Sequence, residues 1–216
     1  MELWHVLNRG VDKRKTFMEP ADYVRFIHDL YEFNDTAAAP EFNRRTHVGH
    51  PMSHIRKRLV DIHAWCLMRN HYHLLLSARV ENGVSLFMKK LNMGYAKYFN
   101  QKYDRTGALW QGKHKKIFIE RDAHFIYIPY YIHLNPLDYA FPQWRTGEVR
   151  DVSKALIYLS EYRWSSHLDY LGTKNFPSVI QPSFLSETFE TPTHYKAEIR
   201  NIITRPNLGI DSARIE

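Results

Sequence analysis

Hydrophobic positions change their spacing several times along the chain, and each change marks a predicted element. Apolar runs and alternation predict strands over residues 3–8, 59–68 and 71–77, and a further strand at 117–119. Apolar residues at helical spacing predict helices over about 21–31, 84–99, 122–135 and 152–160. This order of strands and helices indicates an α+β fold, with helices packed on an antiparallel sheet.

Two histidines, His71 and His73, begin the third predicted strand. Successive side chains of a strand point to opposite faces, so both imidazoles project from the same side. Two parallel imidazoles supply half of a coordination shell for a divalent metal. The chain has 13 histidines, so a His-x-His pair can also arise by chance, and the metal hypothesis needs a second signal.

The predicted helix over 122–135, which ends at Pro136, carries that signal. Tyr131 and Asn135 are four residues apart and therefore share a helical face. The amide could serve as a third metal ligand and the phenol as a nucleophile. Taken alone the pattern is also compatible with packing, because most of the 14 tyrosines must be core residues with a hydrated hydroxyl.

Taken together, His71-Tyr72-His73 and Tyr131-Ile132-His133-Leu134-Asn135-Pro136 resemble the HUH single-tyrosine transposases, most closely their REP-associated tyrosine transposase branch. Further matches lie at Trp4–Gly10, Leu109–Lys113 and Tyr162–Ser166, so the resemblance covers about residues 3–180. One position departs from the family pattern. The family usually has Pro-Asn before the first histidine, and this chain has Arg69-Asn70.

The resemblance implies a ferredoxin-like core over residues 1–140. Beyond Pro136 the apolar pattern weakens, which predicts an irregular C-terminal extension over 141–216 packed on the core, and the last twenty or so residues, polar and interrupted by proline, are expected to form a loosely docked tail. It further implies that His71, His73 and Asn135 bind Mg²⁺ or Mn²⁺ centrally on an open sheet face, with the tyrosine helix across its edge. Tyr131 would attack a phosphodiester of single-stranded DNA, form a 5′-phosphotyrosine and allow the strand to be rejoined elsewhere. A hairpin-containing element is the expected DNA partner.

Two other function classes remain open at this point. A metal-dependent phosphodiesterase that uses water would need only the histidines and an oxygen ligand, and it would leave no covalent adduct. A catalytically inactive DNA-binding protein would keep the basic surface without turnover. The presence of His71, His73, Tyr131 and Asn135 argues against the inactive protein.

The balance of charge favours an anionic partner, with nucleic acid ahead of a membrane surface. The net charge is +7 and the sequence pI is near 9.4. The candidate DNA contacts are basic residues in two segments: Arg9, Lys13 and Arg14 in the first, and Lys113, Lys115 and Lys116 in the second. Either segment could also be a solvated loop without a role in binding. The basic segment 34–58 predicts either an arm that closes on DNA or a surface insertion.

A cytoplasmic location is expected. The only cysteine, Cys66, cannot form an intrachain disulfide, which suits a reducing compartment. No apolar run approaches the about 20 residues of a membrane span, and no charged-then-apolar leader pattern is present. The sequence leaves open whether the protein is a monomer or a homodimer.

Overall fold

The computed structural model describes residues 2–37, 56–120 and 122–205, so residues 38–55 of the predicted basic insertion lie outside it. The strands are β1 (Leu3–Arg9), β2 (Val60–Met68), β3 (His71–Ala78) and β4 (Lys115–Phe118). The helices are α1 (Pro20–Glu32), α2 (Gly83–Lys102), α3 (Asp122–Leu134), α4 (Val152–Glu161), α5 (His167–Tyr170), α6 (Ser183–Phe189) and α7 (Pro192–Thr204). Shorter 3₁₀ turns span Val11–Lys13, Asn135–Tyr139 and Pro142–Thr146. Among the described helices, none is long and apolar enough to cross a membrane.

The four strands form one antiparallel sheet in the order β2-β3-β1-β4. This order, with α1 after β1 and α2 after β3, is the ferredoxin-like arrangement and confirms the predicted α+β class. Both helices cover one face of the sheet. The ring of Phe26 in α1 lies 5.0 Å from that of Tyr72, and the Tyr72 hydroxyl donates to Asn92 Oδ1 in α2 at 2.6 Å.

The opposite face, which carries His71 and His73, is covered by α3. Helix α3 lies over β2 and β3, at one edge of the sheet as expected. The expectation that the face is open is wrong there, because the Tyr131 ring lies 5.8 Å from that of His73 and is fully buried. The composition of α3 explains this position. In its C-terminal half Ile128, Tyr130 and Ile132 are all buried, and a helical segment that is apolar on every side is stable only when it is covered on every side.

The C-terminal extension supplies the outer cover of α3 through a buried hydrogen-bond network. His133 of α3 lies 2.7 Å from the Ser166 hydroxyl and 2.7 Å from the Tyr195 hydroxyl of α7. His167 Nδ1 lies 2.7 Å from the same tyrosine oxygen. The predicted loosely docked tail therefore does not apply to the residues of α7, which bury Tyr195 and Ile199 in the core. Residues 206–216 lie outside the described part of the chain.

The segment around Ser165 covers the free edge of β2. Ser165 forms an isolated antiparallel bridge with Cys66, and the Leu67 N–H donates to the Trp164 carbonyl at 2.9 Å. The predicted turn at Trp164–Ser166 thus packs on the core as expected. Its backbone pairing protects an edge that would otherwise expose unpaired backbone groups.

Acid should destabilise this protein, because several histidines are buried in the neutral form. Burial lowers the pKa of His63 to about 4 and that of His167 to about 3, whereas an unfolded histidine titrates near 6.5. Between these values the unfolded chain binds more protons than the folded one. The free energy of unfolding should therefore fall as the pH falls from about 6.5, by up to about 1.4 kcal/mol per pH unit for each such histidine.

Denaturant unfolding at pH 7, 6 and 5 measures this slope. His63→Gln is the informative variant, because a glutamine amide can replace the 2.8 Å hydrogen bond between His63 Nε2 and the Ser77 hydroxyl without titrating. We expect a shallower slope for this variant. Parallel pH curves for variant and wild type would contradict the assignment to His63.

Candidate active site

The two histidines of β3 share a sheet face, and both rings are oriented through their Nδ1 atoms. His71 Nδ1 lies 2.7 Å from Asn70 Oδ1, and His73 Nδ1 lies 2.9 Å from Nε2 of His5 in β1. Because the Asn70 amide nitrogen donates to the Lys13 carbonyl, the Asn70 oxygen accepts, and His71 Nδ1 carries the proton. The neutral His71 ring therefore has its lone pair on Nε2, through which it can bind a metal.

His73 has the same arrangement when its Nδ1 donates to His5. In that tautomer the lone pair is on Nε2, which is buried and has no hydrogen-bond partner among the described residues. Leaving a buried polar atom unpaired costs about 1–3 kcal/mol, and a metal ion would satisfy it. Metal-binding histidines are usually held by a hydrogen bond from the second ring nitrogen. His5 and Asn70 are therefore candidate positioning residues that the sequence alone did not reveal.

Both histidines are in the protonation state that a metal needs. Burial, together with the positive charge of Arg9, lowers the pKa of His71 to about 4. Burial also holds the pKa of His73 well below its usual range, with additional repulsion from His71 and His5. Neutral imidazole is the ligand form, so metal binding at pH 7 requires no proton to be displaced from either ring.

Tyr131 lies against this histidine cluster. Its ring centre is 5.8 Å from that of His73 and 6.2 Å from that of His5, both in edge-to-face geometry. Tyr131 is fully buried, with Tyr127 at 6.2 Å and Trp144 at 5.9 Å on its other sides. The phenol therefore cannot meet a phosphodiester in this conformation unless its side chain or its covering residues move.

Asn135 lies just past the end of α3, as the first residue of the 3₁₀ turn Asn135–Tyr139. Its Nδ2 atom donates to the carbonyl of Tyr131 at 2.7 Å, which ties the amide to the residue that precedes it by one turn. Its Oδ1 atom is buried without a hydrogen-bond partner among the described residues. This carbonyl oxygen is thus a second buried lone pair, alongside His73 Nε2, that a cation could satisfy.

The donor set fits a hard divalent cation with an amide oxygen as third ligand. No three His, Cys, Asp or Glu side chains within residues 2–37, 56–120 and 122–205 are placed to hold a metal ion together. The unpartnered oxygen of Asn135 is a donor of the type that Mg²⁺ and Mn²⁺ accept.

Arg145, in the 3₁₀ turn after α3, was not predicted as a site residue. Its Nη1 atom lies 3.4 Å from the Tyr131 hydroxyl, and its other edge binds the Asp138 carboxylate. An aspartate and an arginine seven positions apart occur in most sequences, so no sequence pattern singled out this contact. The fold places a cation directly beside the predicted nucleophile.

The six basic residues predicted as DNA contacts do not form one patch. Arg9 lies opposite His71 in the β1–β3 register, and the carbonyl of Lys13 holds Asn70. Leu7 of β1 lies opposite His73 on one side and opposite Lys115 on the other. Residues opposite each other in a sheet point to the same face, so Lys115 is on the same face as His73. Lys116 lies on the opposite face, with its Nζ atom 3.5 Å from the ring centre of Trp4. Arg14 is half-buried and Lys113 is exposed.

Comparison with known proteins relates this geometry to a family. Residues 46–135 match the family model described as "Transposase IS200 like", a range that contains His71, His73, Tyr131 and Asn135. Over these residues, which are less than half of the chain, the sequence is similar to that family. The match stops before Asp138 and Arg145, so that ion pair lies outside the segment that is similar to the family.

A solved structure of a REP-associated tyrosine transposase bound to a REP hairpin has a fold similar to that of this chain. The two are 13% identical, the alignment covers 83% of this chain and 85% of that chain, and the TM-score is 0.50. At this identity the likeness concerns the fold. No curated protein matches the chain significantly.

Proposed function

We propose that this IS200-like protein is a metal-dependent transposase of the REP-associated branch, which cleaves and rejoins single-stranded DNA beside a hairpin. Tyr131 is the nucleophile, and His71, His73 and Asn135 are the metal ligands. The contact between Tyr131 and His73, with ring centres 5.8 Å apart inside the family-matched range, supports this proposal most. The similar fold of a hairpin-bound transposase supports the choice of DNA partner.

In this mechanism the Tyr131 oxygen attacks the phosphorus of a single-stranded phosphodiester. The bond from phosphorus to the tyrosine oxygen forms as the bond to the 3′-oxygen breaks, and the leaving oxygen takes a proton while the phenol proton passes to water. His71, His73 and Asn135 would hold a divalent ion such as Mg²⁺ or Mn²⁺, which would supply charge neutralisation at the scissile phosphate. Reversal with a new 3′-hydroxyl rejoins DNA without a nucleoside triphosphate.

The basic residues nearest the histidines are the proposed DNA contacts. The first two are Arg9, which lies opposite His71, and Lys115, which is on the same sheet face. We propose that they hold the DNA strand at the site. Lys13, Arg14 and Lys113 would contact the backbone beyond it. Lys116 is the least favourable of the predicted contacts, because its ammonium group already covers the Trp4 ring on the other face.

We also propose that residues 141–216 work with the core at 1–140 as one catalytic unit. Tyr195 of α7 bonds to His133, two residues after the nucleophile, and so fixes α3 from outside. Removal of α7 would leave His133 with an unpaired buried nitrogen, at a cost of about 1–3 kcal/mol.

A covalent-adduct experiment tests the proposed function. The purified chain is incubated with a single-stranded oligonucleotide that carries a REP-type hairpin, with Mg²⁺ or Mn²⁺, and then resolved under denaturing conditions. We expect a protein–DNA adduct that resists denaturation, is absent with a chelator, and is much weaker for the same sequence as a blunt duplex. Cleavage without any adduct would overturn the tyrosine mechanism.

The burial of Tyr131 favours one alternative, a metal-dependent phosphodiesterase that uses water. Such an enzyme needs the histidines but not an accessible phenol. Its products would appear in the same experiment as free fragments, with no DNA attached to protein at any time point. The adduct therefore separates the two functions directly.

Replacing Asn135 should weaken metal binding without removing the nucleophile. For Asn135→Ala we expect the metal concentration for half-maximal adduct to rise by about 10-fold or more, with some adduct remaining at high Mn²⁺. Asn135→Asp should retain more activity than alanine, because a carboxylate suits Mg²⁺, although it loses the 2.7 Å donation to the Tyr131 carbonyl.

Asn34→Ala is the matched control, because Asn34 is another buried amide that bonds to backbone, far from the site. Its metal dependence should equal that of the wild type. If the curves for wild type, Asn135→Ala and Asn135→Asp coincide, Asn135 is a helix-end residue and the third ligand lies elsewhere.

A further inference from the structure

Arg145 is held in a fixed orientation beside the Tyr131 hydroxyl. Its Nε and Nη2 atoms bind the two oxygens of Asp138 at 2.9 and 2.6 Å, a bidentate contact that sets the plane of the guanidinium. The indole N–H of Trp144 also donates to Asp138, at 2.7 Å. The remaining edge of the guanidinium, at Nη1, therefore faces Tyr131, at 3.4 Å from its hydroxyl.

Arg145 lies on the solvent side of the nucleophile. About a quarter of its side chain is exposed (26%), whereas Tyr131 is fully buried. A phosphate that approaches the tyrosine from solvent would thus meet this guanidinium beside the metal-binding face.

Stabilisation of the fold is not a sufficient reason for this arrangement. Arg145 and Asp138 are both partly exposed, at 26% and 28%, and an exposed ion pair contributes only about 0–1 kcal/mol. The pair needs no phenol in order to form. The strong contact to Asp138 therefore acts chiefly to aim the guanidinium.

We propose that Arg145 is a catalytic residue that binds the phosphate attacked by Tyr131. This inference rests on the proposed transposase function. As the bond from the tyrosine oxygen to phosphorus forms and the bond to the 3′-oxygen breaks, negative charge remains on the two non-bridging oxygens. Guanidinium N–H groups donate to these oxygens, hold the phosphate in line with the phenol, and then stabilise the anionic phosphotyrosine.

The test measures the rate of adduct formation in a single turnover at saturating hairpin DNA, together with the Kd for that DNA. For Arg145→Gln we expect the rate to fall by about 100-fold, the usual effect of removing one preoriented donor, with Kd within threefold of wild type. Arg145→Lys should recover part of the rate, because lysine keeps the positive charge but lacks the planar pair of N–H donors of the guanidinium. Asp138→Asn should give a smaller loss, since the guanidinium remains but is held less firmly.

Two controls separate catalysis from folding. Arg163→Gln removes a surface arginine that also stacks on aromatic rings, over Trp164 and Phe176, and it should react like the wild type. Arg145→Ala should regain activity when methylguanidinium is added below denaturing concentrations. A merely structural arginine would not be replaced in this way by a small cation in solution.

Each outcome decides the proposal. A rate for Arg145→Gln within threefold of wild type would overturn it, as would a change confined to Kd, which would make Arg145 a DNA anchor. A loss of rate that follows a loss of thermal stability, without rescue by methylguanidinium, would also overturn it. If the wild type itself forms no adduct, the proposed function fails, and this inference fails with it.

Discussion

Tyr131→Phe is expected to abolish the covalent protein–DNA adduct. The change removes only the hydroxyl that the mechanism requires, so adduct formation should fall by on the order of 10⁴ or more, as when a nucleophile is deleted elsewhere. The ring remains, and with it the packing against His73 and His5. The free energy of unfolding should therefore change by no more than about 1 kcal/mol, because the contact from Arg145 to the hydroxyl is long at 3.4 Å.

Tyr127→Phe is the matched control for that result. Tyr127 is one helical turn earlier in α3, and its ring lies 6.2 Å from that of Tyr131, so it is the nearest other tyrosine on this helix face. Its variant should form adduct at close to the wild-type rate. An adduct that persists in Tyr131→Phe but disappears in Tyr127→Phe would transfer the nucleophile to Tyr127, and an adduct in both would require a nucleophile outside this helix.

His73→Ala should eliminate cleavage at every concentration of Mg²⁺ or Mn²⁺ that the wild type can use. The proposed site has only two imidazole ligands, and the loss of one removes a direct bond to the metal, so we expect adduct to fall by about 1,000-fold or more. The metal affinity should fall too, which calorimetry with Mn²⁺ measures without reference to activity. If the His73→Ala variant cleaves DNA at the wild-type rate under saturating Mg²⁺, the metal assignment is wrong.

The structure changes one part of this prediction, because His73 is buried. A site on an open sheet face would tolerate alanine with little loss of stability, but a buried truncation leaves a cavity, at a cost of about 1–3 kcal/mol. His63→Ala is the matched control, since His63 is a buried histidine on the neighbouring strand that bonds to Ser77. It should lose similar stability yet keep its metal affinity and cleavage. His71→Ala, at a partly exposed position, should lose cleavage with less effect on stability.

The motifs that carried the family resemblance have separate physical roles in the fold. Gly10 ends the first motif at a point where a Cβ atom would lie 2.4 Å from the Arg14 carbonyl oxygen, so only glycine allows the chain to turn there. This turn brings the Gly10 N–H to the Asn70 carbonyl, at 2.8 Å, and so fixes the residue that orients His71. Arg69 occupies the position where the resembled family usually has proline, and its carbonyl accepts from the N–H groups of Thr16 and Phe17.

Local periodicity was enough to predict the elements that carry the site. Alternation along β3 places His71 and His73 on one face whatever lies beside them, and the apolar pattern of α3 predicts a helix that ends near Pro136. Both are properties of neighbouring residues, so they survive in any fold. Placing Tyr131 beside the histidines required the family resemblance, because spacing within one helix says nothing about which strand it covers.

The remaining features depend on contacts between distant parts of the chain. His5 is 68 residues from His73, and it reaches that ring only because β1 pairs with β3 in a register set by the packing of the whole sheet. Arg145 reaches Tyr131 because the chain after α3 turns back over its own helix, a path that no periodic pattern encodes. The sequence by itself therefore determined which residues can carry the chemistry. The tertiary structure alone decided that the proposed nucleophile is buried, which cation lies beside it and which histidine orients the proposed metal ligand His73. These features depend on how surfaces far apart in sequence fill the same space.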